Sequence, residues 1–211
     1  VIKIVTHTRG TGLWIDQCVK SVEAARVPNM SHDILMLTDP SSHAYARWAA
    51  LQSADFVGFV DDDDVIIPGA IERCMSALQA TGAGVAFTGQ LGVDANGAVV
   101  SEYHRARFLK DAALNPQAIH HFSLIRRDAL CAQAIAAAVR IGVGVDWLCK
   151  ANAAMRMGAV HVPMIGYHWR IHQNQESVRT AKLFEDASDE LTDVIFSWMK
   201  KDAPIPVYRA C

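Results

Sequence analysis

A short, wholly apolar run, Phe56-Val57-Gly58-Phe59-Val60, ends in four consecutive aspartates, Asp61-Asp62-Asp63-Asp64. A run of this length and character predicts a strand buried on both faces. The fold must therefore cover both sides of that strand and still open at its end for four charges. Open α/β sheets do this, because they bind ligands in the crevice beyond the carboxyl ends of their strands. Two carboxylates about 4 Å apart repel by roughly 1 kcal/mol in water and by about 4 kcal/mol at an effective dielectric near 20. A cleft holding four of them calls for a cation, and Mg2+ or Mn2+ suits oxygen ligands. The plainer alternative is a solvated acidic loop in which Asp64 helps to start the following helix.

The rest of the chain agrees with an α/β fold. Residues 1–6 form a β-rich apolar run, followed by a turn at Thr8-Arg9-Gly10-Thr11-Gly12. Residues 13–26 carry Trp14, Cys18, Val22 and Ala25 at helical spacing. A second strand is predicted over 32–38, an Ala-rich helix over 41–53 and a helix from Pro68 to about residue 80. Strand 84–88 follows, then two strands flanking Asp94-Ala95-Asn96-Gly97, whose Asn-Gly is a hairpin signal. Further helices are predicted over 129–140 and 146–157, strand-like segments over 160–162 and 165–169, and a long closing helix over 176–200. That last helix aligns Phe184, Ala187, Leu191, Val194, Ile195 and Trp198 on one stripe. Strand-helix alternation implies a mostly parallel central sheet, and 211 residues without repeat or linker suit one domain.

Composition narrows the partners. A net charge of −2 gives no reason to expect a polyanion; the small cluster at Arg105, Arg107 and Lys110 is the only local exception. Five scattered cysteines, never spaced CxxC, argue against a zinc site and a disulfide scaffold. No apolar run approaches a membrane span, and no secretory signal precedes the first strand. A cytoplasmic location is the expectation.

The stretch from Arg47-Trp48-Ala49-Ala50-Leu51 through Ala54 to Phe56-Val57-Gly58-Phe59-Val60-Asp61-Asp62-Asp63-Asp64-Val65-Ile66-Ile67-Pro68-Gly69-Ala70-Ile71 resembles the family-2 glycosyltransferases of the GT-A fold, where such a segment carries the DxD motif. The likeness extends to Ile4-Val5-Thr6-His7-Thr8-Arg9, Cys18-Val19-Lys20-Ser21-Val22 and Leu37-Thr38-Asp39-Pro40-Ser41. It continues at Ser123-Leu124-Ile125-Arg126-Arg127-Asp128-Ala129-Leu130, Val145-Asp146-Trp147 and Tyr167-His168-Trp169-Arg170-Ile171-His172, and so touches most of residues 1–180.

The resemblance implies a single GT-A, Rossmann-like domain over 1–211. About 1–90 would form the nucleotide-sugar-binding half and about 91–180 the acceptor-binding half, closed by the 176–200 helix. It implies a metal-dependent enzyme that moves a sugar from a nucleoside diphosphate, UDP being the expected nucleotide, to an acceptor hydroxyl with inversion. Thr6, Thr8, Arg9 and Asp39 would lie at the nucleotide base, Arg47 near the donor and Arg170 at its phosphates. Asp61 and Asp63 match the DxD positions, with Asp63 the expected direct ligand of Mn2+ or Mg2+; Asp62 and Asp64 stay open because four adjacent acids blur the register. His172 matches a histidine that reaches the metal or diphosphate, with His168 an alternative if the register slips. Asp146 matches the general base. Two departures stand out: Val145 replaces the first acid of the usual pair, and Trp48 follows Arg47 where Asn is usual.

Chemistry makes the same demands. Sugar transfer needs the charge on the departing diphosphate neutralised and the acceptor hydroxyl deprotonated by a carboxylate within reach. The competing assignments are an N-cap role for Asp146, a structural role for His172, and simple packing for His120 and His121. Gly10-Thr11-Gly12 lacks the third glycine of a dinucleotide fingerprint, since Ile15 stands there. A phosphohydrolase with its motif after the first core strand, a nucleotidyltransferase lacking its usual loop lysine, and a non-catalytic nucleotide-sugar binder are the remaining alternatives. The acceptor is open: glycan, small molecule, protein, lipid or modified nucleobase.

Overall fold

A computed structural model of the chain describes residues 1–10, 12–36, 54–103, 119, 121–131, 136, 140–141, 144–173, 175, 181–199 and 207–209. Among these residues, strands β1 (Ile2–Thr8), β2 (Met30–Met36), β3 (Phe56–Phe59), β4 (Val65–Ile66), β5 (Val85–Val93), β6 (Val99–Tyr103), β7 (Ser123–Arg126), β8 (Ala159–Arg170) and β9 (Val207–Arg209) form one sheet. Helices α1 (Ile15–Ala24), α2 (Ala70–Thr81), α3 (Val145–Met157) and α4 (Ala181–Met199) accompany it, with a short 3-10 turn at Arg127–Ala129. The strand order is β2-β1-β3-β7-β5-β8-β4, with β6 added to β5 and β9 to β8.

The front of the sheet follows the sequence pattern. β1 lies between β2 and β3 and is parallel to both. The chain thus leaves β1 on one side and returns on the other, placing a crevice at the carboxyl ends of β1 and β3. Beyond β3 the sheet is mixed rather than mostly parallel. β7 enters antiparallel to both β3 and β5, β4 is antiparallel to β8, and β6 is antiparallel to β5, while β5 and β8 are parallel. The β5–β6 connection is too short for the crossover that a parallel pair requires. Its Asn-Gly turn forms as expected: Gly97 adopts φ 87°, and Asp94 Oδ1 accepts the N–H groups of Asn96 and Ala98.

Several predicted boundaries shift. The separate strands expected around 84–88 and 91–93 are one strand, β5, and those over 160–162 and 165–169 are one strand, β8. The helix after Pro68 begins at Ala70, capped by Gly69 rather than by Asp64. The helix expected from residue 129 is preceded by the 3-10 turn, and most of residues 132–139 lie outside the described residues, as does the whole 41–53 segment.

Two apolar layers sandwich the sheet. On one face Ile4, Phe122, Leu124 and Val160 pack under Cys18 and Val22 of α1 and Ile71, Cys74 and Leu78 of α2. On the other, Val5, Phe59, Phe87 and Ile125 meet Leu148 and Ala151 of α3 and Leu191 and Ile195 of α4. The side chains of Phe184 and Trp198 lie outside the described residues. Gly58 permits close packing at the centre: a Cβ there would stand 2.7 Å from the Phe122 ring. Helix α3 is buried on nearly every side from Val145 to Met155, with Asp146 the exception. A helix so enclosed is normally apolar all round, yet this one carries Lys150 and Asn152 in its buried stretch.

Candidate active site

The four aspartates leave β3 in a tight turn, in which Asp61 C=O accepts the N–H of Asp64 at 3.1 Å. The chain then enters β4, whose Val65 and Ile66 pair with His168 and Tyr167 of β8. The loop is therefore strung between two strands, and the last turn of β8 crosses behind it. The Tyr167 hydroxyl accepts the Asp61 N–H at 3.1 Å and bonds the Asp64 carboxylate. Burial, with Asp64 and Asp61 beside it, pushes the phenol well above its ordinary range, so it remains a neutral donor.

This anchoring sends the carboxylates to different places. Asp64 is 1% exposed and turned inward, where its Oδ1 accepts the Arg170 N–H at 2.7 Å. Burial, then the charges of Asp63 and Asp61, raise its carboxyl well above the usual range. Asp62 bonds the Thr8 side chain; burial raises it too, opposed by that bond. Thr8 Oγ1 also accepts the N–H of Gly10, at 3.0 Å. Asp63 faces His172, with Oδ2 and Nε2 2.8 Å apart. Its carboxyl is raised by burial and by Asp61, and the bond to His172 opposes that shift.

Arg170 is a clamp. It is 4% exposed, and its Nε donates to Asp63 C=O at 2.8 Å, its Nη1 to the C=O groups of Asp94 and Ala95, and its Nη2 to Gln17 Oε1 at 2.8 Å. One guanidinium thus ties the aspartate loop, the β5–β6 turn and α1 together. Trp14, at the start of α1, covers its face at 4.9 Å and also lies 4.7 Å from the His172 ring. The backbone N–H of His172 donates to Gln175 Oε1 at 2.9 Å, fixing the segment beyond β8.

A second group sits beside this loop. Gly144, at φ 66°, caps α3, so Asp146 lies inside the first turn and is not the N-cap. Its Oδ2 lies 3.1 Å from Lys150 Nζ and 3.6 Å from His121 Nε2. His121 lies just before β7. Its ring packs on Tyr167 at 5.3 Å between centroids. Asp146 is thereby linked to the aspartate loop through two side chains, His121 and Tyr167.

Among the expected site residues, the structure brings together Asp61, Asp62, Asp63, Thr8, Arg170 and His172, and sets Asp146 beside them. Arg9 is half-buried at the end of β1. Thr6, expected at the nucleotide base, is fully buried, with Oγ1 2.9 Å from His32 Nε2 and 3.7 Å from Cys18 Sγ. It shares its face of β1 with Thr8 but lies two residues deeper in the strand, against Cys18 of α1. Arg170, expected at the donor phosphates, donates to the protein oxygens of Asp63, Asp94, Ala95 and Gln17. Asp39 and Arg47 lie outside the described residues. His168 is in register with Val65, one strand position from Tyr167 and hence on the opposite face. Tyr167, Trp14, His121 and Lys150 were not predicted as site residues. Trp14 read as a helical core position, and Lys150 carries only the i, i+4 spacing to Asp146 as a signal.

A groove of about 460 Å³ between Arg26, Asn29, Glu72 and Gln79 lies at the start of β1, the opposite end of the strand from the aspartates. Among the described residues there is no group of three or more His, Cys, Asp or Glu that could hold a metal ion. Asp63 and His172 do supply two convergent donors, one oxygen and one nitrogen. That donor set fits an ion completed by waters and substrate phosphates, since Mg2+ commonly takes one or two protein ligands in phosphate sites.

No family model matches the sequence, and no curated protein matches it. Solved structures do share the fold. S. aureus TarS 1–349 superposes with a TM-score of 0.65 at 14% identity, over 96% of this chain and 66% of that one. The same fragment in complex with UDP-GlcNAc gives 0.62 at 14% identity, over 96% and 67%. The longer S. aureus TarS chain gives 0.59 at 11% identity, over 96% and 44%. The likeness shows the fold, a single Rossmann-like α/β domain with a mixed sheet. No helix among the described residues is long and apolar enough to cross a membrane.

Proposed function

We propose that this chain is a GT-A, family-2-like glycosyltransferase domain. It transfers a sugar from a nucleoside diphosphate, UDP-sugars first, to an acceptor hydroxyl with inversion. The observation that carries the reading is the sorting of the aspartates: Asp64 is turned in, while Asp63 is turned out onto His172 at the carboxyl end of β3. A fold shared with TarS, which has been crystallised with UDP-GlcNAc, supports the choice of donor. Residues of about 1–90 hold the donor in this proposal, and about 91–180 shape the acceptor side. We include in it a reducing, cytoplasmic setting, which the scattered cysteines without CxxC spacing suit.

Asp63 and His172 would hold a Mn2+ or Mg2+ ion, with Asp61 next to them; when bound, the ion neutralises charge on the departing diphosphate. The remaining work falls to the chain's own residues. Arg170 and Tyr167 fix the aspartate loop, so that Asp63 need not reorganise on binding. Asp146 takes the proton of the acceptor hydroxyl as that oxygen bonds the sugar's anomeric carbon. The bond from that carbon to the diphosphate breaks, and the nucleoside diphosphate leaves with its electron pair.

Thermal unfolding against a panel of nucleotide sugars, with and without Mn2+, tests the reading. A ligand at about 100 times its dissociation constant stabilises by roughly 2.7 kcal/mol. The expected result is a shift that needs both a UDP-sugar and the metal and disappears in Asp63→Ala. No shift with any donor would refute the assignment. A non-catalytic nucleotide-sugar binder is the second reading, favoured by the ion pair that already engages Asp146 Oδ2. UDP release that depends on acceptor and on Asp146 separates the two.

A further inference from the structure

We infer that Thr8 is a positioning residue that couples the two ends of the donor site. Through its hydroxyl, a nucleoside on the turn after β1 and a cation at Asp63 and His172 tighten each other's binding. This role rests on the proposed reading of that turn as a nucleoside contact and of the Asp63–His172 pair as cation ligands. The hydrogen bonds around Thr8 have a fixed direction. The Gly10 N–H can only donate, so Thr8 Oγ1 accepts it, at 3.0 Å. The hydroxyl has a single proton to give, and the other side chain that it bonds is Asp62. A one-way chain therefore runs from the backbone of the turn through Thr8 to the Asp62 carboxylate, each bond polarising the next.

A threonine that only closes a local turn accepts an N–H two residues on and needs nothing more. Thr8 does this and also reaches a second loop, because β1 and β3 are adjacent parallel strands. It is 3% exposed, so the joint lies under cover. Gly12 meets the same carboxylate from the turn: a Cβ there would stand 3.1 Å from Asp62 Oδ2. The next residue after Asp62 is Asp63, whose C=O is held by Arg170. Farther along the chain, the Trp14 ring lies 4.7 Å from that of His172. Each of the two convergent donors is thus backed by the chain that leaves β1, Asp63 by way of Asp62 and His172 by way of Trp14. A nucleoside on the turn holds both in the arrangement that the cation needs, and by linkage the cation favours the nucleoside equally.

Uridine isolates this coupling, because it has no phosphate through which to ligate the metal. Mn2+ affinity is measured by electron paramagnetic resonance of the free ion, with and without saturating uridine, on the full chain and on Thr8→Val, Thr8→Ser and Gly12→Ala. Uridine should tighten Mn2+ by about fivefold or more in the wild type, and Mn2+ should tighten uridine by the same factor. Thr8→Val should bring the factor close to one, while Thr8→Ser, which keeps the hydroxyl, should retain it. A threonine with a merely structural role would lower Tm and leave the factor unchanged. Gly12→Ala crowds Asp62 from the turn and should also reduce the factor, so it carries the test if Thr8→Val fails to fold. A wild-type factor of one, or a factor that survives these substitutions, would overturn the proposal. If UDP and Mn2+ together raise Tm while uridine leaves Mn2+ affinity unchanged, only the coupling role of Thr8 fails. If UDP and Mn2+ produce no shift, the donor site itself is wrong.

Discussion

The carboxylate of Asp64 accepts the backbone N–H of Arg170 across 106 positions of sequence. That bond joins the end of β8 to the loop after β3 and decides which aspartates remain for a ligand. Asp64→Ala would strand the Arg170 N–H and remove a partner of the Tyr167 hydroxyl, each at about 1–3 kcal/mol. We expect a loss of about 2–5 kcal/mol by urea denaturation. Asp64→Asn keeps an acceptor without the charge and should cost far less.

The raised carboxyls of Asp62, Asp63 and Asp64 set a pH dependence. A carboxyl that is more basic folded than unfolded binds its proton more tightly in the folded state. Its contribution to stability is full below the unfolded value near pH 4 and is lost as pH rises through the folded value. In EDTA, Tm should therefore lose the loop's contribution as pH rises from about 4 towards neutrality. Added Mn2+ should stabilise more at neutral pH than at acidic pH. A metal-dependent Tm shift that does not grow with pH would refute a cation site at this loop.

Arg170→Lys should behave as a severe substitution. Lysine cannot reproduce the planar fork that reaches Asp63, the 94–95 turn and Gln17 together. The expected cost is about 2–4 kcal/mol from lost hydrogen bonds to a charged donor, with weaker metal-dependent donor binding by calorimetry. Trp14→Ala should cost less, about 0.5–2 kcal/mol for the cation-π contact, and should loosen donor binding through His172.

Asp146 and Lys150 should be strongly coupled in stability. Asp146→Ala leaves an ammonium buried without this partner, a change of about 3–5 kcal/mol in comparable pairs. Adding Lys150→Met should recover much of that loss, as a double-mutant cycle by chemical denaturation would show. Additive losses would mean that the lysine charge is satisfied elsewhere.

Local pattern made the front of the fold legible. Apolar runs and helical spacing marked β1, α1, β2, β3 and α2, and the Asp run marked the crevice, because each signal lies within a few adjacent residues. The register of the Asp run was not legible. Which acid turns inward depends on Tyr167 and Arg170, more than a hundred positions away, and no local spacing encodes that. The same holds for β7, whose four residues carry little pattern and whose antiparallel insertion turns the sheet from parallel to mixed. The resemblance places Thr6 at the nucleotide, while in the fold its hydroxyl meets Cys18 and His32, neighbours that no local spacing encodes. Lys150 carries no local signal beyond its spacing to Asp146, because a charged residue on a helix is ordinarily solvated and only tertiary packing buries this one.

Gly158 is the only residue between α3 and β8. The helix that carries Asp146 in its first turn runs away from the crevice, and the strand returns to it, ending at Arg170 just before His172. The two chemical poles of the site are thus the tips of one hairpin-shaped strut, like the jaws of a caliper, and no flexible connection sets the gap between them. An insertion within that strut would misplace one jaw by a helical step of about 100° or flip it across the sheet. New acceptor preferences in proteins of this design should accordingly arise by changing what lies between the jaws, with the strut keeping its length.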